Sequence, residues 1–293
     1  MVDIIWLITA FSFILGAIFG SFITALVHRT HHRQPMTEQH SMCPHCKHQL
    51  SFLDLFPILS YLWLRGRCRY CQKKISAQYF GIELVTAMLF AAFSYLLWQR
   101  SWDHLLLAPD NPSFYWVGIA AVVTGTSLVL LISLCIYDLR WGILPNQWTL
   151  GGSLFLFLAT ILAVISDQPL LWQPMNPAGT DQALLSTLLS GVIAALFFLA
   201  VAYGSEILLR KPGMGMGDVK LALFLGFFLG FPGIIVGLYL AFIFGAVLSL
   251  LLIAGKRKKI GNSIPFGPFM VGGALLAAWL TPEIMHWYNH LWL

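Results

Sequence analysis

Long apolar stretches without charge constrain this chain more than any other feature. The first of them runs from Ile4 to Val27, and none of its residues carries a charge. About 20 apolar residues are enough for a helix to cross the hydrocarbon core of a bilayer. Only 10% of the 293 residues are charged, whereas soluble domains carry about 25%. The bilayer must therefore be the solvent for most of the chain, which excludes a soluble globular protein.

The apolar runs predict the membrane-spanning helices. They cover residues 4–27, 79–98, 115–137, 148–166, 183–204, 219–231, 233–254 and 264–281. The sixth run is short and rich in glycine and ends at Pro232, so it could be a half-span or could merge with the seventh. We expect an all-α polytopic membrane protein with about eight transmembrane helices. The first run is not expected to be a cleaved signal peptide, because Asp3 rather than a basic residue precedes it.

The basic residues predict the orientation of the spans. If all eight runs cross, the connections 28–78, 138–147, 205–218 and 255–263 lie on one side. Together with Lys220 they hold all 17 Lys and Arg residues except Arg100. Such a bias marks the cytoplasmic side and places both termini outside. It also explains the net charge of +5, so the expected partner is the lipid bilayer and not a nucleic acid.

Four of the five cysteines form two C-x-x-C pairs in the long connection 28–78. They are Cys43 with Cys46 and Cys68 with Cys71. Two such pairs can place four thiolates at the corners of a tetrahedron, which predicts a closed, structural zinc site. Disulfides are the alternative, but they rarely persist in the cytoplasm. His45 or His48 could also replace one thiolate. We therefore expect a small cytoplasmic zinc-ribbon-like insert.

Asp138 and Asp218 are the candidate catalytic residues. Each lies at a predicted membrane edge on the cytoplasmic side, next to residues that bend or open the backbone (Gly142 and Pro145; Gly213, Gly215 and Gly217). Two carboxylates brought close together cannot both ionise easily, so one retains a proton while the other can activate water. The alternatives are that each aspartate caps a helix, or that the two form a proton relay in a transporter.

Several motifs in order along the chain resemble the bacterial type IV prepilin peptidases, which are GxGD-type aspartyl proteases and often also N-methyltransferases. The motifs are F-G-S-F at 19–22, C-P-H-C at 43–46, F-P-I-L-S-Y-L-W-L-R-G-R-C-R-Y-C at 56–71, K-I-S-A-Q-Y at 74–79, E-L-V-T-A at 83–87, Y-D-L-R-W-G-I-L-P-N at 137–146, G-M-G-M-G-D-V-K-L at 213–221 and I-P-F-G-P-F at 264–269. One departure is Asn146, where the family usually has Asp.

The resemblance implies a function for each part of the chain. Residues 1–27 would be the first span, 28–78 the metal-binding domain, and 79–293 a peptidase core that uses Asp138 and Asp218 as its catalytic pair. The substrates would be type IV prepilins or type II secretion pseudopilins, cleaved on the cytoplasmic side of the bacterial inner membrane. S-adenosylmethionine would then donate a methyl group to the new N-terminus.

Three other functions are the alternatives. A transporter or proton channel would need neither the cysteine insert nor the glycine-rich motif. A zinc metalloprotease would need an open metal site, yet the chain has no H-E-x-x-H motif and four thiolates close the shell. A non-catalytic assembly subunit would not need both aspartates.

Overall fold

A computed structural model describes residues 2–35, 41–107, 113–175, 180–209, 214–255 and 264–292. Within these ranges the chain forms nine α-helices and no strand. They are α1 (Val2–His31), α2 (Leu59–Trp63), α3 (Ala77–Leu107), α4 (Ser113–Trp141), α5 (Asn146–Ile165), α6 (Thr180–Leu209), α7 (Met216–Leu229), α8 (Gly233–Ala254) and α9 (Gly267–Trp292). A 3-10 turn at Phe52–Leu55 precedes α2.

The long apolar helices confirm the predicted all-α membrane protein. Seven of the described helices are long and apolar enough to cross a membrane: α1, α3, α4, α5, α6, α8 and α9. Each contains all or nearly all of one predicted apolar run; α5 ends one residue before the run 148–166 does, and α9 begins three residues after the run 264–281 does. The remaining run, 219–231, corresponds to α7, which has only 14 residues and is therefore about 21 Å long. The described residues thus form a multi-pass membrane protein with seven helices long and apolar enough to span and one shorter apolar helix.

The short helix α7 is the interior helix of its part of the bundle. It contacts α5, α6, α8 and α9, and from Leu221 to Leu229 nearly all of its residues are buried. A helix that is apolar all round belongs in an interior. Gly226 of α7 faces Gly191 of α6 so closely that a Cβ on either would overlap the other chain segment. Small residues at a helix crossing allow this close backbone contact.

A buried segment of the α5–α6 connection packs against the end of α7. The segment 170–173 is almost fully buried, and Gln173 Nε2 donates hydrogen bonds to the Phe227 carbonyl (3.1 Å) and to Thr187 Oγ1 (2.9 Å). Gly230, with φ +64°, ends the helix. Carbonyls at a helix end need a partner inside a membrane. The sixth run therefore forms a helix of its own and does not merge with α8.

The chain divides into two compact units, Met1–Arg100 and Ser101–Leu293. The first contains α1, the cysteine insert and most of α3; the second contains α4 to α9. In the first unit α1 and α3 pack closely, since a Cβ on Gly20 would lie 2.7 Å from Glu83 Cα. The expected domain boundaries at 27/28 and 78/79 remain a prediction.

Candidate functional site

The two candidate aspartates lie at the same end of the α4–α9 bundle. Asp138 is buried in the last turn of α4, and Asp218 is in the first turn of α7. Their carboxylates lie close enough for each charge to act on the other. Residues 80 positions apart in sequence thus converge, as predicted. Gly213 and the basic residues at 210, 211 and 256–259 lie outside the described residues.

The segments that follow and precede the aspartates pack directly against each other. The segment 142–145 leads from α4 into α5, and the side chain of Leu144 lies where a Cβ on Gly217 would be only 3.1 Å away. Beside this contact, Lys220 Nζ donates a 2.7 Å hydrogen bond to Asn146 Oδ1. Gly217 therefore allows the start of α7 to approach the end of α4, and the lysine–asparagine pair fixes their register.

A third helix end meets this pair of aspartates. The backbone N–H of Gly267, the first residue of α9, donates a 3.0 Å hydrogen bond to Asp138 Oδ2. N–H groups at a helix start have no partner within their own helix, and this one finds a carboxylate from a distant part of the chain. A Cβ at position 267 would lie 2.5 Å from the same oxygen, so a larger residue there would displace the Asp138 carboxylate. Asp138 therefore does cap a helix. The capped helix is α9, which lies far away in the sequence, and not α5, which follows Asp138 along the chain.

This arrangement can perform acid–base chemistry on a bound amide. Two carboxylates that lie close together can titrate as a pair, with one retaining a proton while the other is ionised. The ionised member can remove a proton from water while the other donates one to a carbonyl oxygen. The site lies at the ends of helices and not at their middle.

The four cysteines converge in the insert as the spacing predicted. All four sulfurs of Cys43, Cys46, Cys68 and Cys71 lie within 4.8 Å of one another, and none of the cysteines in the described residues forms a disulfide. Cys43 Sγ and Cys71 Sγ are 3.9 Å apart. A tetrahedral zinc with Zn–S distances of about 2.3 Å places its sulfurs roughly 3.8 Å apart. The cluster therefore fits a metal ion held by four thiolates.

The backbone around the two cysteine pairs has the same pattern of hydrogen bonds. Cys43 N–H bonds to the His48 carbonyl and Lys47 N–H to the Cys43 carbonyl, and Cys68 and Gln72 repeat both bonds in the second pair. Burial raises the pKa of Cys43, but the N–H groups of Cys46 and His45 and the thiols of Cys68 and Cys46 together lower it to about 6. The His48 N–H lowers the pKa of Cys46, but desolvation and the neighbouring thiols together raise it to about 11. Metal binding requires the thiolate form. The expected alternative ligands are not part of the cluster: the ring of His48 instead packs on Tyr70, with centroids 3.7 Å apart.

A junction at Glu83 was not predicted as a site. Glu83 of α3 accepts a 2.8 Å hydrogen bond from the Ile58 N–H and another from the Ser21 side chain of α1. Ile58 has φ +63°, a conformation that costs energy for a β-branched residue and needs support from its surroundings. Three of the motifs that carry the family resemblance thus meet at one carboxylate. Only the separate motifs, and not their meeting, are visible in the sequence.

Comparison with known proteins assigns both parts of the chain. Residues 14–97 match the family model of the bacterial peptidase A24 N-terminal domain, and residues 125–250 match that of the type IV leader peptidase family. A relative from Burkholderia pseudomallei (strain K96243) is 30% identical over 93% of this chain and 86% of its own length. Relatives from Aeromonas hydrophila and Bacillus subtilis (strain 168) are each 29% identical, over 97% and 94% of this chain and 94% and 96% of their own. All three are named prepilin leader peptidase/N-methyltransferase. No solved structure matches the chain.

Proposed function

This chain belongs to the type IV leader peptidase family, and from that premise we propose that it cleaves the leader from type IV prepilins with Asp138 and Asp218 as its catalytic pair. The observation that carries the proposal is the meeting of Asp138, Asp218 and the Gly267 N–H at one end of the bundle. Type II secretion pseudopilins are proposed as further substrates, since they present the same kind of apolar helix behind a leader.

In the proposed reaction the aspartate pair supplies both the base and the acid. The ionised carboxylate takes a proton from water as the water oxygen attacks the scissile carbonyl carbon. The protonated carboxylate donates its proton to the carbonyl oxygen, which gives a tetrahedral diol. The amide C–N bond then breaks as the leaving nitrogen takes the proton that the first carboxylate removed from water, and a hydroxyl of the diol returns its proton to the second carboxylate. The Gly267 N–H keeps Asp138 in position through these steps. Lys220 and Asn146 act as positioning residues, because they join the two segments that carry the aspartates.

The proposal is tested by removing one carboxylate at a time. Asp138→Asn and Asp218→Asn should each abolish formation of the shorter product when the purified protein is incubated with a prepilin. Asp167→Asn is the matched control, because Asp167 is an exposed aspartate in the α5–α6 connection at the other end of α5, and it should cleave normally. Near-normal turnover by either Asp138→Asn or Asp218→Asn would remove the catalytic assignment.

Methylation of the new N-terminus is proposed as a second activity. The support is the insert of about 50 residues, for which the peptidase chemistry has no use, together with the names of the relatives. The methyl group would move from the sulfonium of S-adenosylmethionine to the terminal nitrogen, with release of one proton. An Asp138→Asn Asp218→Asn double variant, given a pre-cleaved pilin peptide and labelled S-adenosylmethionine, should still transfer label. Cleavage without transfer by the wild-type protein would leave only the peptidase.

Zinc is the proposed metal of the four-cysteine cluster. Four thiolates suit a closed structural site, which would hold the two cysteine pairs together and leave the peptidase chemistry to the aspartates. Zinc supplies no open coordination position in such a site. The proposal predicts about one zinc per chain by elemental analysis.

The proposed location is the bacterial inner membrane, with the insert and both aspartates on the cytoplasmic side and both termini in the periplasm. The bias of basic residues supports this orientation. A reporter fused into the α5–α6 connection near residue 177 should report outside, and one in the insert near residue 47 should report inside. A cytoplasmic report from residue 177 would reverse the orientation.

A further inference from the structure

The cysteine insert carries an exposed apolar surface, here called the apolar ridge. It consists of Phe52, Leu53, Phe56, Leu59, Leu62 and Trp63, all exposed. Trp63 is 87% exposed and Phe52 78%. Large exposed apolar patches of this kind mark surfaces that bind another molecule or a membrane.

The short helix α2 has two different faces, and the outward one belongs to the apolar ridge. Leu59, Leu62 and Trp63 are spaced i, i+3 and i+4, so they share one face of the helix. On the other side, Tyr61 stacks on Phe80 of α3 with ring centroids 5.3 Å apart. The ridge is thus the outward face of a helix whose inner face already has its partner.

Contacts with α3 fix the depth of α2 relative to the membrane. Ile58, which precedes α2, donates its N–H to Glu83, and Tyr61 stacks on Phe80. The apolar run of α3 begins at residue 79, so both contacts lie within the first ~6 Å of that run at 1.5 Å per residue. This level is the boundary between hydrocarbon and headgroups, and the helix beside it cannot lie far out in water.

The charges around the ridge complement an anionic surface. Asp54 is the one acidic residue among the described positions of the insert, and it is paired with Arg69 at 2.9 Å. Arg65, Arg67, Lys73 and Lys74 are exposed. An apolar face next to exposed basic residues is the pattern by which a short helix binds the surface of an anionic membrane.

We propose that the apolar ridge is inserted into the bilayer surface on its own side of the membrane, with acyl chains against Leu59, Leu62 and Trp63 and anionic phospholipid headgroups against the neighbouring arginines. The insert is then a membrane-bound domain and not one suspended in water. The proposal requires only that the chain spans a membrane, and it holds or fails independently of the proposed peptidase and methyltransferase activities.

Site-specific photo-crosslinking of the full chain tests this proposal. Benzoylphenylalanine replaces Leu59 or Trp63, and the protein is reconstituted in nanodiscs of equimolar phosphatidylglycerol and phosphatidylcholine. Gln49 is the matched control, because it is exposed in the same insert but lies outside the ridge. Each variant is first checked for full metal content and unchanged thermal unfolding, so that a misfolded insert is not scored.

The expected result is a covalent lipid adduct at positions 59 and 63 with at least fivefold the yield at position 49, and at least threefold more adduct to phosphatidylglycerol than to phosphatidylcholine. Equal yields at all three positions, or no adduct, would show that the ridge faces water. Adducts at 59 and 63 to another part of the chain, to a second copy or to an added prepilin would show that protein covers the ridge. Equal labelling of the two lipids would overturn the part of the proposal that concerns charge.

Discussion

Replacing Gly267 by alanine should disturb the geometry of the aspartate site and lower the rate of cleavage while the protein still folds. The added Cβ would lie 2.5 Å from Asp138 Oδ2 and 3.2 Å from its Cγ, whereas ordinary contacts begin near 3.4 Å. Either the carboxylate or the start of α9 must therefore move by roughly 1 Å, a displacement that can cost a reaction about 10²-fold. The 3.0 Å hydrogen bond to the carboxylate is lost in that movement.

The lost hydrogen bond sets a second estimate of the effect. A hydrogen bond to a charged group contributes about 1.5–3 kcal/mol, which corresponds to roughly a 10- to 150-fold change in rate at about 1.4 kcal/mol per tenfold. Both estimates place kcat/KM of Gly267→Ala about two orders of magnitude below wild type. Loss of the same hydrogen bond should lower the melting temperature by about 3–12 °C, at roughly 2–4 °C per kcal/mol, and leave the protein folded.

The assay is cleavage of a prepilin by protein in nanodiscs, measured together with thermal unfolding. Gly272→Ala is the matched control, because Gly272 lies on the same helix with nothing within 4 Å of an added Cβ, and it should retain full activity. If Gly267→Ala cleaves within twofold of Gly272→Ala, the Gly267 N–H does not position Asp138 and the three-helix site is wrong. A parallel collapse of folding and activity would likewise contradict the prediction.

Three further predictions concern other contacts. Lys220→Met loses the bond to Asn146, and because that bond is exposed to solvent it should lower kcat/KM about fivefold at most, at roughly 1 kcal/mol; a loss beyond 100-fold would give Lys220 a direct role. Cys68→Ser should lower the zinc content from about one per chain towards zero and expose the insert to proteolysis; unchanged zinc by elemental analysis would contradict the four-thiolate site. Gly191→Leu should lower the melting temperature in nanodiscs, because the new side chain would overlap α7. Gly204→Leu on the same helix has open space around it and should melt like wild type. Equal melting temperatures of the two variants would show that α6 and α7 do not pack through this contact.

The sequence was enough to predict the helices and the convergence of the two aspartates. Apolar length and the bias of basic residues are properties of the chain itself, and they predict that Asp138 and Asp218 lie on the same side of the membrane, which stays a prediction. The C-x-x-C spacing likewise predicted the four-sulfur cluster, because each pair builds its half of the site locally. The catalytic roles of the aspartates and the identity of the metal remain predictions.

Contacts between distant segments could not be predicted. Gly267 was visible only as part of a motif, and nothing local indicates that its N–H donates to Asp138. Gln173 lies in an irregular connection, yet it is buried and bonded to α7. The junction of Ile58 with Glu83 depends on a backbone conformation that apolar patterning does not report. Each of these contacts depends on how helices pack, which periodicity alone does not determine.

The burial of α7 also determines how the site responds to its lipid environment. Bilayers of different thickness change the tilt of helices that contact acyl chains, and here the outer faces of α5, α6 and α8 are among the apolar surfaces left exposed. From Leu221 onward α7 is almost entirely enclosed by neighbouring helices, and Gln173 holds its far end. We therefore expect the outer helices to absorb hydrophobic mismatch before it reaches Asp218. Cleavage should stay nearly constant as acyl chains are lengthened or shortened by a few carbons.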